Sequence, residues 1–340
     1  MSEEPRPDTT AQLREALAED PLQVDDDLWD GDSAFKAASE GSVSFQTSLA
    51  SSVINYKLQN GRRYHAFREG SYLVPNDEEE QDRMDLVHHI FGLGLKGELF
   101  LAPIAKDPQR VLDLGTGTGI WAIDFADEYP SAQVIGTDLS PIQPAWTPPN
   151  CSFEVDDFES DWSYRQPFDF IHARELEGCI GDPDKLFRQA FKHLAPGGYV
   201  EFQAAYTRFL SDDGTAEKAE SAQFWLKTLI DGLAQFGKPL DCAIEWKQKM
   251  EDAGFVDVQQ RIIKVPIGAW PKDPKLKDLG KFQGFQQMKA VESYTPGVFG
   301  RILGWSDEEV QVLVAKVRKD LNDPAIHLYI PAYFVWGKKP

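Results

Sequence analysis

The run RVLDLGTGTGIWAIDFADEYPSAQVIGTDLS, residues 110–140, constrains this chain more than any other. Val111, Leu112 and Leu114 make a short apolar strand, and glycines at 115, 117 and 119 follow it at alternate positions. Ile120, Ala122, Ile123, Phe125 and Ala126 then share one broad helical face, and Pro130 stops the helix. AQVIGTDLS returns as a strand with Asp138 at its carboxyl end. The unit is β-α-β with a glycine-rich first turn. Glycine there adopts positive φ and lets the backbone approach a ligand with no Cβ in the way. Asp138 is placed to accept hydrogen bonds from both hydroxyls of a ribose.

Three nucleotide-like ligands compete for this pattern. A triphosphate loop needs G-x-x-x-x-G-K-[ST], and no lysine follows these glycines. Gly117, Gly119 and Ala122 formally fit a dinucleotide fingerprint, but that frame puts Asp113 and Gly115 at inward strand positions. A buried parallel strand carries Val or Ile there. The frame from Gly115 has Ile120 where a third small residue belongs, so neither frame is clean. Asp113 to Gly119, D-x-G-x-G-x-G, instead resembles the first motif of class I S-adenosylmethionine-dependent methyltransferases. That cofactor has no pyrophosphate, and an acid beside the loop suits its cationic amino and sulfonium groups. A glycine turn without a ligand is the bland alternative, and three alternating glycines with a spaced acid weigh against it.

Alternation of strand and helix continues downstream. CSFEVDD reads as a third strand ending in Asp156 and Asp157, and PFDFIHARE as a fourth. Asp182 caps a helix with Pro183 at its first position, and APGGYVEFQ turns into a fifth strand. EWKQKMEDAGFVDVQQRIIK gives a helix, Gly254 as its stop, and another strand. The pattern argues an α/β, doubly wound parallel sheet with its ligand at the carboxyl ends of the strands. Residues 108–340 are expected to form this domain, with a helical insertion at about 264–325 that contains a helix capped by Ser306. Residues 51–107 read as a helical cap or lid, with Asn76 capping a helix whose inward face is Met84, Leu86, Val87, Ile90 and Phe91.

Charge narrows the partners. Of a net charge of −20, −9 falls in residues 1–32, where eleven acids face only Arg6 and Arg14. Residues 1–50 are therefore expected to be a disordered acidic tail. The remaining −11 leaves an acidic body that repels polyanions, so no nucleic-acid partner is expected. No apolar run approaches a membrane span and no secretory leader is evident. Cys151, Cys179 and Cys242 are far apart, and with six scattered histidines they give neither a disulfide framework nor a metal site. A cytoplasmic location is expected, or a nuclear one for a regulatory protein.

RRYHAFREGSYLVPNDEEEQDRMDLVHH, the glycine run through SPIQPAWTPPNCSFEVDDFE, HLAPGGYVEFQ and IHLYIPAYFVWGKKP together resemble fungal LaeA-like methyltransferases. That family includes a nuclear regulator of secondary metabolism and enzymes encoded beside biosynthetic clusters. The resemblance implies a seven-stranded Rossmann-like sheet whose last strand, around 328–336, is antiparallel. It implies S-adenosylmethionine as cofactor, with Asp113, Gly115, Gly117 and Gly119 around its methionine part and Asp138 and Leu139 at the ribose. Asp157 would reach the adenine amino group, with Phe158 beside the ring and the backbone near Arg174 at the methionine amine. Asp157 is chosen over Asp156 because a ring-contacting residue follows it at once. Tyr64, with Arg63 and His65, sits in a block that would fold over the cofactor.

For the acceptor, His172 is the candidate general base, since it ends the fourth strand and titrates near neutrality. The bland alternative is that it only hydrogen-bonds the loop. Glu175 is a second candidate, against a solvated loop charge. The chain has IHARELEG where amine-modifying relatives carry an Asn- or Asp-Pro-Pro-aromatic tetrad. Trp270, Phe282, Phe285 and Tyr294 are candidates for an apolar acceptor pocket or for plain core. The expected activity is methyl transfer to a small-molecule acceptor. The alternative is a regulatory protein acting through protein partners.

Overall fold

The computed structural model describes residues 13, 17–18, 20–25, 56–59, 62–65, 67–68 and 73–340. A seven-stranded sheet organises them. Its strands, in chain order, are β3 (Arg110–Leu114), β4 (Gln133–Asp138), β5 (Cys151–Val155), β6 (Phe168–Arg174), β7 (Leu194–Ala205), β8 (Val256–Pro266) and β9 (Tyr329–Lys338). They lie in the order β5-β4-β3-β6-β7-β9-β8. Pairing is parallel from β5 to β7, and β9 runs antiparallel to both β7 and β8. The doubly wound sheet with an antiparallel last strand is thus present, and the switch point between β3 and β6 opens at their carboxyl ends.

Helices cover both faces because the central strands are apolar on each side. Val111, Leu112, Phe170 and Ile171 are fully buried. Helix α2 (Ile120–Glu128) presses Trp121, Ala122, Phe125 and Ala126 onto one face. Helix α3 (Pro183–His193) and helix α5 (Trp246–Asp252) cover the other with Phe187, Ala190, Trp246 and Met250. Asp182 caps α3 by accepting from Lys185 N–H at 2.8 Å, with Pro183 following.

Before the sheet, a short hairpin of β1 (Lys57–Gln59) and β2 (Arg62–Tyr64) leads to helix α1 (Glu78–Gly94). Asp77, not Asn76, caps α1, accepting from Glu80 N–H at 3.2 Å, while Asn76 reaches across to Ser140. Val87, Ile90 and Phe91 are buried as expected, but so are Glu80 and Arg83, which pair at 2.7 Å. Ser293 donates to the second oxygen of Glu80, so the buried charge is satisfied.

The insertion forms a second packed unit on the sheet's carboxyl edge. It holds helix α6 (Pro274–Thr295), a π-helical turn (Pro296–Ile302) and helix α7 (Asp307–Leu321), whose Ser306 and Glu309 make a reciprocal capping box. Helix α4 (Glu220–Gln235), from the β7–β8 connection, joins it through Trp225, Leu226, Leu229 and Leu233. Sequence patterning did not locate α4 or α6. Most of residues 1–50 lie outside the described residues, yet residues 20–25 depart from the expected disorder. Val24 bridges Pro271, Asp25 pairs with Lys277, and Leu22 N–H donates to Asp212 at 2.7 Å.

One buried acid ties the cap to the sheet. Glu201, fully buried on β7, accepts from Leu101 N–H at 2.7 Å and Ala102 N–H at 2.6 Å, and burial pushes its carboxyl up to about 7. Glu201→Ala should lower unfolding free energy in urea by about 2–5 kcal/mol, because two buried N–H groups lose their acceptor. The raised carboxyl favours folding fully below its unfolded value and loses that contribution as pH rises through about 7. Thermal melts from pH 5 to 8 should therefore show a shallower decline for Glu201→Gln than for the parent.

Candidate functional site

At the carboxyl ends of β3, β4 and β6 the backbone closes around a cavity of about 260 Å³. Gly115, Gly117 and Gly119 all have positive φ, at 61°, 57° and 83°. Their roles differ. A Cβ on Gly115 would fall 2.4 Å from Leu176 Cδ2, and one on Gly119 would fall 2.4 Å from the Phe153 ring. Gly115 and Gly117 line the cavity, whereas Gly119 caps α2 outside it, leaving room for Phe153. Gly115 and Gly117 are thus the two that face the cavity.

Asp138 ends β4 with its carboxylate across the turn, accepting from Gly117 N–H and Ser140 N–H, each at 2.9 Å. Burial raises its carboxyl to about 6, against those two bonds. Gln143 donates to Gly117 C=O at 2.7 Å, and so fixes the turn from the other side. Leu139, Asp157 and Phe158 also line the cavity. Asp156 is exposed, so the strand's alternation turns Asp157 inward. Its carboxylate accepts from Glu159 N–H at 3.0 Å and lies 3.5 Å from Arg68.

Asp113 is 3% exposed and already committed. One oxygen accepts from Thr116 Oγ1 at 2.5 Å, and the other contacts His172 Nδ1 at 2.7 Å. His172 is fully buried and stacks on Trp121 with ring centroids 3.6 Å apart. It lies inside β6 opposite Asp113, two positions short of the strand's end at Arg174. Burial lowers its imidazole to about 4, although Asp113 opposes this, so the ring is neutral at physiological pH. The ring thus sits within the sheet rather than at the strand's end, where it holds Asp113 and also lines the cavity.

Arg174 lines the cavity with its guanidinium engaged by Gln203 at 2.8 Å, His88 at 3.0 Å and the Leu99 carbonyl at 3.3 Å. Tyr64 is not part of the wall. It is buried under Arg301 of the insertion, whose guanidinium sits 3.9 Å over its ring, while Arg62 pairs with Asp77 and ties the hairpin to the start of α1. Of the four insertion aromatics, only Tyr294 lines the cavity. Trp270 bonds the Leu328 carbonyl, Phe282 packs edge-on against His89, and Phe285 is half-exposed.

Sequence reading missed most of the acceptor side. Asn76, Arg83, Met84 and His88 of the cap line the cavity, as do Gln283, Gln286 and Gln287 of α6. Phe209, Trp225, Leu226, Leu229, Leu233 and Leu240 make its apolar end. The α4 members recur at helical spacing, a signal present in ESAQFWLKTLIDGLAQ. The glutamines carried no such signal.

A family model described as a methyltransferase domain matches residues 86–260. The chain is 42% identical over 295 residues to the methyltransferase pytC of Aspergillus terreus, covering 86% of this chain and 91% of that protein. It is 36% identical over 293 residues to the secondary metabolism regulator LAE1 of Cochliobolus heterostrophus, covering 84% and 95% respectively. It is 32% identical over 285 residues to the protein-methionine methyltransferase laeA of Emericella nidulans, covering 83% and 76%.

A bare turn that a Cβ would fill, with a carboxylate at the end of each of the next two strands' paths, fits S-adenosylmethionine. Only ionised Asp138 can accept from two hydroxyls, and its carboxyl titrates at about 6. Affinity for S-adenosylhomocysteine should therefore fall as pH drops below about 6, read by calorimetric titration from pH 5 to 8. Asp138→Asn should flatten that profile. Asp138→Ala should weaken binding by about 1.5–3 kcal/mol, the range for a hydrogen bond to a charged group.

Proposed function

The chain belongs to the LaeA-like family of S-adenosylmethionine-dependent methyltransferases, and from that premise we propose that its acceptor is a small molecule bound beside the glycine turn. The observation that carries this reading is the enclosed apolar end of the cavity, walled by Phe209, Trp225, Leu226, Leu229, Leu233 and Leu240. Such a wall suits an apolar body of small-molecule size. The acidic balance of −20 weighs further against nucleic acid.

When bound, the cofactor supplies an electrophilic methyl carbon on a good leaving group. The protein's part is to position and to exclude water. In this reading Gly115 and Gly117 receive the methionine part, Asp138 and Leu139 the ribose, and Asp157 and Phe158 the adenine. The backbone at Arg174 meets the methionine amine. Holding the acceptor in line is worth up to roughly 7–11 kcal/mol of barrier, and burial of its apolar body supplies the binding energy for that alignment. His172 acts as a positioning residue: it fixes Asp113, which fixes Thr116 in the turn.

Identity to the regulator LAE1 favours a second reading, in which the chain acts through protein partners, in the nucleus rather than the cytoplasm. Among the described residues no helix is long and apolar enough to cross a membrane.

Isotope-labelled S-adenosylmethionine, incubated with the protein and an extract of its native cell, separates the two. Label should enter the low-mass, solvent-extractable fraction. Label confined to protein, with none in that fraction, would overturn the small-molecule reading. With an acceptor in hand, His172→Ala should lower the melting temperature and weaken cofactor binding, by about 1–3 kcal/mol for a lost bond to a buried carboxylate. The pH–rate profile should keep its shape, whereas a general base would take a limb of that profile with it.

A further inference from the structure

Two carboxyl groups on the acceptor side have no part in cofactor binding. Glu175 follows β6 directly, Glu177 lies two residues on, and both line the cavity. Their side chains converge on one donor: Ala205 N–H reaches Glu175 Oε1 and Glu177 Oε1, each at 3.1 Å. Glu175 adopts φ 56°, a region that few residues other than glycine occupy, and its own N–H is held by the Gln203 carbonyl at 2.9 Å. That backbone turn brings the two carboxyls together. The remaining oxygen of Glu177, Oε2, is closed to solvent and has no hydrogen-bond partner among the described residues. A shared proton links this carboxyl to Glu175, and a sealed oxygen set against a second carboxyl can also take a donor from a bound ligand.

The cations around the pair each have another partner, and Arg83 still draws the Glu175 carboxyl down by its charge. Arg83 and Glu80 of α1 face it, but Arg83 is held by Glu80 at 2.7 Å. Arg174 of β6 is held by Gln203, and Lys238 by Glu159 at 2.6 Å. The Tyr294 phenol of α6 and the thiols of Cys179 and Cys242 complete the shell, all pushed up by burial and therefore neutral. Burial raises both glutamates, and the charge of Glu175 raises Glu177 further. Two adjacent carboxyls in such a place do not both ionise, so they titrate as one unit.

We propose that Glu175 and Glu177 act together as the catalytic group that faces the acceptor's nucleophile and takes its proton, which makes the acceptor an amine or a hydroxyl compound. This rests on the S-adenosylmethionine reading of the same cavity. The lone pair of the acceptor nitrogen or oxygen forms the bond to the methyl carbon. The carbon–sulfur bond breaks with its electron pair left on sulfur. The N–H or O–H proton passes to the ionised member of the pair and from there to solvent after release.

Sinefungin tests the geometry without knowledge of the acceptor. It carries a protonated amine on carbon where S-adenosylmethionine carries the S-methyl group, whereas S-adenosylhomocysteine carries neither. Calorimetric titration of both ligands at pH 6, 7 and 8 should be made on the parent, Glu175→Gln and Glu177→Gln. The parent should bind sinefungin about tenfold or more tightly than S-adenosylhomocysteine, as a charge-assisted hydrogen bond allows. The margin should widen as the pair ionises. Each variant should lose most of the margin, with S-adenosylhomocysteine affinity within about threefold of the parent. No margin in the parent, or the same margin in both variants, would overturn the proposal and leave the cofactor reading standing. Failure of the parent to bind either ligand would overturn the cofactor reading itself.

Discussion

A row of buried polar groups runs across the middle of an otherwise apolar sheet, and the site depends on it. Asp113, His172 and Glu201 occupy paired positions on β3, β6 and β7. All three are 3% exposed or less. Two residues nearer the strand ends, Arg174 and Gln203 form a second paired row and bond at 2.8 Å. Inside a low-dielectric sheet such groups are costly unless each finds partners. Most do here: Asp113 takes Thr116 and His172, Glu201 takes two backbone N–H groups and Gln203, and Arg174 takes Gln203, His88 and Leu99, while His172 Nε2 stays unpartnered among the described residues. The result locks the glycine turn at one end and the α1–β3 connection at the other into a single register. A hydrophobic row would hold the strands equally well but would not aim the loops at their ends.

The sequence reading placed Asp113 and His172 at the site, and both line the cavity, with His172 taken as the candidate base. A histidine near a strand's end in an α/β sheet is a fair candidate for proton transfer. What the local sequence does not carry is the partner across the strand and the indole of Trp121 against its face, both tertiary facts. Glu175 shows the reverse. Its carboxylate looked like a loop charge because the chain around it, ARELEG, is polar. The left-handed backbone at Glu175 and the distant Ala205 that folds it inward have no local signature.

The cofactor half of the cavity was legible because it is built from one contiguous unit, β3 through β6, whose glycines and strand-end acids have fixed spacing. Even there, Gly119 lies outside the cavity wall and leaves room for the Phe153 ring. The acceptor half was not legible for a different reason. Helix α6 turns Gln283, Gln286 and Gln287 inward, so its apolar periodicity is broken where it matters most. Helix α4 does carry an apolar stripe, and the period was there to be counted. The hairpin block was assigned to the cofactor, but Tyr64 serves the insertion, and the cavity takes Asn76, Arg83, Met84 and His88 from the following segment instead.

The division of the cavity between a continuous run and three dispersed helices has an evolutionary corollary. Substitutions in α1, α4 or α6 can reshape the acceptor end while the strand-borne end is untouched, since the two share few side chains. Retargeting then requires neither a new fold nor a new cofactor, only substitutions on the inward faces of those helices. Divergent specificities among sequences about one-third identical are the expected outcome of such a scaffold.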